Sequence, residues 1–161
     1  MTVVDSKQDL AALTFTIVAD LAAPPARVWQ IWSDPRQLER WWGPPTWPAT
    51  FEEHNVAVGG GSRYYMTGPE GEKSRGWWRF ISLDEPRSLE FEDGFADESG
   101  APNSKMPTIH ARVDLEETAA GTRMTITSRF DSLEQMKELV EMGMVEGMTE
   151  AMGQIDVILA A

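Results

Sequence analysis

Two histidines, His54 and His110, are the side chains most suited to moving protons near neutral pH, and the chain has no cysteine. His110 and Arg112 share the strand parity opposite to Val113 and Leu115. If those two apolar side chains face the core, His110 and Arg112 face outward. A general base also needs a positioned partner, and the sequence identifies none. We therefore favour structural roles and keep His54, His110 and Arg112 as the catalytic candidates.

Metal and phosphate chemistry have little support in the sequence. Two histidines without any cysteine cannot assemble the usual zinc cage, and the acidic segment 93–100 does not match the spacing of a calcium loop. The glycines 59–61 lack the Gly-Lys-Ser/Thr ending of a phosphate loop and predict a turn. Ser62 does not stand in a Gly-x-Ser-x-Gly elbow. We expect no metal and no cofactor.

Tryptophan and methionine favour a binding surface over a reaction centre. The chain has seven tryptophans and nine methionines. Near the C-terminus the methionines form a helical stripe that also carries Gly143 and Gly147, each of which costs about 1 kcal/mol of helix propensity against alanine. Flexible methionine beside glycine is typical of variable space next to a helix. The predicted cavity residues are Trp42, Tyr65, Trp78, Phe91, Met144, Met148 and Met152. The same side chains would also suit a filled core, so both alternatives stay open.

Charge and composition restrict the partners. A formal net charge of −12 repels phosphate backbones and anionic lipid heads, so we expect no nucleic-acid partner. No apolar run approaches the about 20 residues that cross a bilayer, and membrane insertion is not expected. Residues 1–13 lack the basic start and apolar centre of a signal peptide and predict a loose leader. With the absence of cysteine, this predicts a cytoplasmic protein.

The predicted elements form a sheet covered by one helix. Apolar residues spaced three and four apart predict one long helix from Ser132 to Leu159, with Ser132 as its N-cap. Upstream, a strand over 14–21 precedes two short helices over 26–33 and 36–42. Alternating residues and turn signals then predict consecutive strands over 50–58, 62–67, 73–83, 88–92, 108–117 and 122–130. Such strands form an antiparallel meander, whose apolar face the long helix would cover.

Several short sequence motifs, in this order along the chain, resemble those of a known superfamily. They are Ala23-Pro24, Val28-Trp29, Ser33-Asp34-Pro35, Trp41-Trp42-Gly43-Pro44, Gly59-Gly60, Gly68-Pro69-Glu70-Gly71, Gly121-Thr122 and Met142-Gly143-Met144. Together they resemble the START-like, or SRPBCC, helix-grip superfamily over about residues 14–160, and within it the branch named after the activator homologue of the heat-shock-protein-90 ATPase. Ala57-Val58 departs from the arginine and proline that the family often has before the glycine pair, so polar contacts of that turn are not carried over.

The resemblance implies an α+β helix-grip fold in one domain over residues 14–161. It implies a curved antiparallel sheet of about six to seven strands, wrapped on a long C-terminal helix, with two short helices after the first strand. The superfamily includes lipid carriers, polyketide cyclases and a cochaperone domain, so fold does not decide function. We favour binding of a small hydrophobic ligand between sheet and helix, without robust catalysis. The alternatives are a cyclase- or hydrolase-type enzyme and a cochaperone-like interaction module. A homodimer is allowed, because relatives are often dimeric.

Overall fold

An antiparallel sheet of eight strands forms the framework of the protein, which a computed structural model describes over residues 3–160. In chain order the strands are β1 (Val3–Asp9), β2 (Thr14–Leu21), β3 (Ala49–His54), β4 (Gly61–Thr67), β5 (Lys73–Asp84), β6 (Ser88–Phe95), β7 (Thr108–Thr118) and β8 (Gly121–Arg129). Their order across the sheet is β1-β2-β8-β7-β6-β5-β4-β3. The predicted antiparallel meander is confirmed from β3 to β8, and β2 joins it by pairing with β8.

Two short helices follow β2, as the sequence predicts. They are α1 (Pro25–Ser33) and α2 (Pro35–Leu38). Proline in the first turn of each suits helix entry, where its missing N–H has no partner to lose. The side chain of Asp34 accepts a hydrogen bond from the backbone N–H of Arg36 and caps α2. The apolar side of α1 packs on the sheet through Val28, Trp29, Ile31 and Trp32.

The single long helix predicted over 132–159 is wrong, because the segment is divided into three helices. These are α3 (Leu133–Glu141), α4 (Met144–Met152) and α5 (Ile155–Leu159). Gly143 has φ +92°, a left-handed conformation that glycine adopts without steric cost and that interrupts an α-helix. The predicted start is confirmed, since the Ser132 hydroxyl accepts a hydrogen bond from the backbone N–H of Gln135.

The predicted loose leader over 1–13 is also corrected, because β1 lies within it and pairs with β2. Its side chains are mostly exposed, so the strand lacks the alternating apolar pattern by which the other strands were predicted. Backbone hydrogen bonds to the edge of the sheet hold it instead. The sheet therefore has eight strands rather than the predicted six to seven. Residues 1, 2 and 161 lie outside the described part.

Aromatic side chains form the core on part of the inner face of the sheet. The Trp78 and Phe91 rings stack with centroids 4.1 Å apart, and Trp32 packs on Trp41 at 4.8 Å. Register shifts in the β3–β4 and β5–β6 pairs are β-bulges of the kind that bend strands. No helix within residues 3–160 combines the length and the apolar character needed to cross a bilayer.

Candidate ligand-binding site

A cavity of about 290 Å³ lies between the sheet and the junction of α3 and α4. Its wall is mainly apolar, and the side chains on the helix side are Leu139, Met142, Met144 and Met148. The rest of the lining comes from Trp42, Pro44, Tyr64, Met66, Ser74, Arg75, Asp93, Phe95, Ile109, Gly143 and Gly147. This volume is at the small end of the range for ligand sites, about 300–1,000 Å³.

One end of the cavity is polar because Tyr64 and Asp93 meet there. The Tyr64 hydroxyl donates a hydrogen bond to Asp93 Oδ1 at 2.9 Å. Tyr64 belongs to β4 and Asp93 to β6, so the bond passes over the intervening strand β5. Gly76 of β5 leaves the necessary space, since a Cβ at that position would stand 2.5 Å from the Tyr64 hydroxyl oxygen. The glycine permits the close approach of the ring to the backbone.

Burial changes the proton affinity of both groups. It raises the pKa of Asp93 from its ordinary 3.8 to about 7, although the Tyr64 hydroxyl and the Trp78 indole act in the opposite direction. Burial also raises the pKa of Tyr64 well above 10, and the neighbouring Asp93 charge adds to that effect. Asp93 is only half-buried, and it lines the cavity, so its accessible surface is open to a ligand. A neutral and an ionised carboxyl are therefore both populated near neutral pH.

Two indole N–H groups beside this pair lack a partner. Trp42 Nε1 and Trp78 Nε1 are buried without a hydrogen bond to any residue within 3–160. Both indoles are near enough to Tyr64 to lower its pKa, and Trp78 also lowers that of Asp93, but neither indole meets hydrogen-bond geometry to these oxygens. Their rings meet edge to face, with centroids 4.7 Å apart. A buried donor without a partner costs about 1–3 kcal/mol, so an acceptor beside either N–H group would be stabilising.

The predicted cavity residues are only partly brought together. Trp42, Met144 and Met148 line the cavity. Trp78 stands at its polar end without being part of the lining. Phe91 and Met152 are fully buried and belong to the filled core.

Tyr65 lies on the outer face of the sheet, where the Lys73 ammonium is 4.4 Å from its ring centroid. Its neighbour Tyr64 faces the cavity instead. Tyr64, Tyr65 and Met66 are consecutive apolar or aromatic residues, so alternation alone does not reveal which of them point inward.

His54 does not line the cavity, and its ring is held by hydrogen bonds within the fold. Its Nε2 lies 2.7 Å from the Trp32 carbonyl oxygen, which can only accept, so Nε2 carries the proton. Nδ1 then accepts from the Ser62 hydroxyl at 2.6 Å. Burial lowers the pKa of His54 and favours this neutral form. Both ring nitrogens are therefore engaged in holding β3 and β4 against α1.

His110 and Arg112 lie on the outer face of the sheet, as their parity predicts. His110 Nε2 is 3.5 Å from Glu90, and Arg112 pairs with Glu90 at 3.2 Å and with Asp114 at 3.1 Å. Neither residue lines the cavity. The three catalytic candidates thus do not share a site. Within residues 3–160, no group of three or more His, Asp or Glu side chains could hold a metal ion.

Besides Tyr64, the sequence analysis missed Asp93 and Gly76 at the polar end of the cavity. The predicted strand ended at Glu92 and left Asp93 in a loop, whereas β6 continues to Phe95. The alternation of Leu89, Phe91 and Asp93 was the available signal, because it puts the carboxylate on the apolar face. A glycine inside a strand was the corresponding signal at position 76.

An antiparallel sheet that packs on C-terminal helices and leaves a cavity beneath them defines a helix-grip protein of the START-like class. The chain belongs to the family described as "Activator of Hsp90 ATPase homolog 1-like protein", which it matches over residues 22–160. The resemblance stated from the sequence is thereby confirmed. This family fits either a ligand-binding or a cochaperone-like module.

Solved structures support the assignment. The chain is 59% identical to a protein from Arthrobacter aurescens, with a TM-score of 0.95 over 99% of this chain and 92% of the other. It is 46% identical to a protein from Mycobacterium smegmatis, with a TM-score of 0.90 over 98% and 96% of the two chains. A Rhodobacter sphaeroides protein, 23% identical with a TM-score of 0.81 over 98% and 97%, shares the fold. No curated protein matches the sequence.

Proposed function

We propose that this protein binds a small, largely apolar molecule in the cavity between the sheet and helices α3 and α4, without robust catalysis. The supporting observation is a mainly apolar cavity of about 290 Å³ with a polar end at Tyr64 and Asp93. A concave, mostly apolar space with a few convergent polar groups is the usual form of a small-molecule site. Met144 and Met148 suit such a role, since thioether side chains adapt to ligand shape.

The hydrophobic effect supplies the driving force. Each 100 Å² of apolar surface that ligand and cavity remove from water contributes about 2.5 kcal/mol before the costs of association. Exposed Met142 stands at the cavity wall, and Gly147 leaves open space beside α4. Entry of a ligand at the α3–α4 junction therefore requires little displacement of packed core.

The test is uptake of a neutral fluorescent probe, N-phenyl-1-naphthylamine, by the full chain. Met148→Trp should fill the cavity and weaken probe binding at least tenfold, while circular dichroism and thermal unfolding show a retained fold. Val157→Trp is the matched control, because Val157 is 68% exposed on α5 and does not line the cavity. Unchanged uptake by Met148→Trp would contradict the proposal. Native mass spectrometry of the purified protein would identify a co-purified ligand and report whether the protein is a monomer or a homodimer.

A cochaperone-like module is the second candidate, and the family description supports it. It requires a stable complex with an Hsp90-type ATPase, detectable by size-exclusion chromatography and by a change in ATPase rate. Met148→Trp and Val157→Trp separate the two candidates, because only a ligand site depends on an open cavity.

A cyclase- or hydrolase-type enzyme is the third candidate, and it would depend on Asp93, the carboxyl group in the cavity lining. Turnover that disappears in Asp93→Asn but survives in His54→Ala and His110→Ala would support it.

A further inference from the structure

Three hydrogen-bond donors lie at the polar end of the cavity, namely the Tyr64 hydroxyl and the indole N–H groups of Trp42 and Trp78. The Tyr64 hydroxyl donates to Asp93 Oδ1 at 2.9 Å. Among the described residues, the indole N–H groups of Trp42 and Trp78 have no hydrogen-bond partner, although these two residues are only 8% and 3% exposed. A ligand without polar atoms would leave both N–H groups unsatisfied, whereas an oxygen acceptor would satisfy at least the one on Trp42, which lines the cavity.

We propose that the ligand is a neutral compound whose carbonyl or hydroxyl oxygen is held by the Trp42 indole N–H and the Asp93 carboxyl group, with its apolar body against Met144 and Met148. This inference rests on the proposed function and narrows its ligand class. In the neutral state the Asp93 carboxyl has one O–H to donate, while its other oxygen stays engaged with Tyr64. Trp42 and Asp93 then approach the same oxygen as two donors.

The charges around Asp93 support a proton on its carboxyl. Besides Asp93, the titratable residues of the lining are Tyr64 from β4 and Arg75 from β5. Arg75 is directed to the outer face, where its guanidinium lies 5.3 Å from the Tyr65 ring centroid and 3.2 Å from Glu52. The lining side chains of α3, α4, the residues that join them and β7 are Leu139, Met142, Met144, Met148 and Ile109, none of which titrates. Burial without a facing cation raises the pKa of Asp93 to about 7.

Charged ligands fit this end less well than neutral ones. A carboxylate could accept from a neutral Asp93, but its charge would lie in an apolar cavity without a facing cation, and it would repel Asp93 once that group ionises. An ammonium group would pair with an ionised Asp93 but would leave the Trp42 and Trp78 donors unsatisfied. The neutral acceptor is the ligand class that satisfies both the indole and the carboxyl group.

The test compares four naphthalenes of similar size by calorimetry on the full chain at pH 6 and pH 8. They are 2-acetylnaphthalene, its hydrocarbon isostere 2-isopropenylnaphthalene, 2-naphthoate and 1-(2-naphthyl)ethylamine. The ketone should bind at least tenfold more tightly than the hydrocarbon at pH 6. Its affinity should fall about tenfold by pH 8 as Asp93 loses its proton, while the hydrocarbon affinity stays constant.

Two variants at one position give the matched control. Asp93→Asn should keep the ketone preference and lose its pH dependence, because an amide accepts from Tyr64 and donates to the ligand at both pH values. Asp93→Leu should abolish the preference while still binding the hydrocarbon. Equal affinity of wild type for ketone and hydrocarbon, tightest binding of naphthoate or the amine, or a pH-dependent preference in Asp93→Asn would overturn this inference. Binding of neither neutral probe would overturn the proposed function as well.

Discussion

Tyr64 on β4 and Asp93 on β6 are joined by a 2.9 Å hydrogen bond that passes over Gly76 of β5. Gly76 is the register partner of Tyr64, so the Tyr64 side chain lies against a residue without a Cβ. The geometry of the polar end thus depends on three neighbouring strands in fixed register, which is a rigid support for a ligand-orienting group.

Gly76→Ala should break the Tyr64–Asp93 hydrogen bond. The added methyl group would overlap the Tyr64 ring, and rearrangement of a packed site of this kind typically costs about 1–3 kcal/mol. The Tyr64 hydroxyl lowers the pKa of Asp93, so the pKa of the displaced variant should rise above about 7 if Asp93 stays buried. Urea unfolding measures the first effect and carbon-13 NMR of the Asp93 carboxyl the second. An unchanged Asp93 pKa in Gly76→Ala would contradict this coupling between the two groups.

Gly147→Ala should raise the free energy of unfolding by about 0.5–1 kcal/mol. Nothing lies within 4 Å of a Cβ at this position, and alanine has the higher helix propensity. Gly143→Ala should do the reverse and cost about 1–2 kcal/mol, because its φ of +92° is strained for any residue with a Cβ. Chemical denaturation of both variants checks the pair. Destabilisation by Gly147→Ala would show that the open space is required by the fold itself.

Asp93 should make the protein less stable as pH rises from about 4 to about 7. In this window the folded protein holds a proton that the unfolded chain has released, so each increase in pH favours unfolding. Replacement by asparagine removes this dependence and keeps an acceptor for Tyr64. As pH rises from 5 to 8, the free energy of unfolding of wild type should therefore fall by about 2–3 kcal/mol relative to that of Asp93→Asn, at 1.36 kcal/mol per pKa unit. Parallel stability curves for the two proteins would contradict the buried, proton-binding carboxyl.

The alternation of apolar and polar residues predicted most of the strands. The sequence predictions failed where a structural feature does not depend on the pattern of a few neighbouring residues. β1 was missed because its side chains are exposed and the strand is held by backbone pairing. The break at Gly143 was missed because a cost in helix propensity does not reveal a positive φ. Tyr65 was chosen over Tyr64 because a one-residue change of parity exchanges the two faces of a strand.

The polar end of the cavity was beyond the sequence analysis for a different reason. Asp93 and Tyr64 are 29 positions apart, and their approach depends on the register of three strands around Gly76. Pairing of strands that distant in sequence is set by the whole fold rather than by local pattern. The apolar helix side of the cavity was easier, since Met144 and Met148 are four residues apart on one helix face.

His54→Ala should lower stability without changing ligand binding. The substitution leaves the Trp32 carbonyl and the Ser62 hydroxyl without their ring partner, at a cost of about 1–3 kcal/mol. Burial holds the pKa of His54 below 6.5, so the unfolded chain takes up a proton first as pH falls below 6.5, and wild-type stability declines there. His54→Ala should lack this contribution. His110→Ala is the control and should change stability by less than about 1 kcal/mol, because its contact with Glu90 is 3.5 Å long and partly exposed. Denaturant curves at pH 5.5 and pH 7.5, together with probe binding, distinguish a structural role of His54 from a role in ligand binding. Weakened binding in His54→Ala with unchanged stability would show that His54 serves the ligand site.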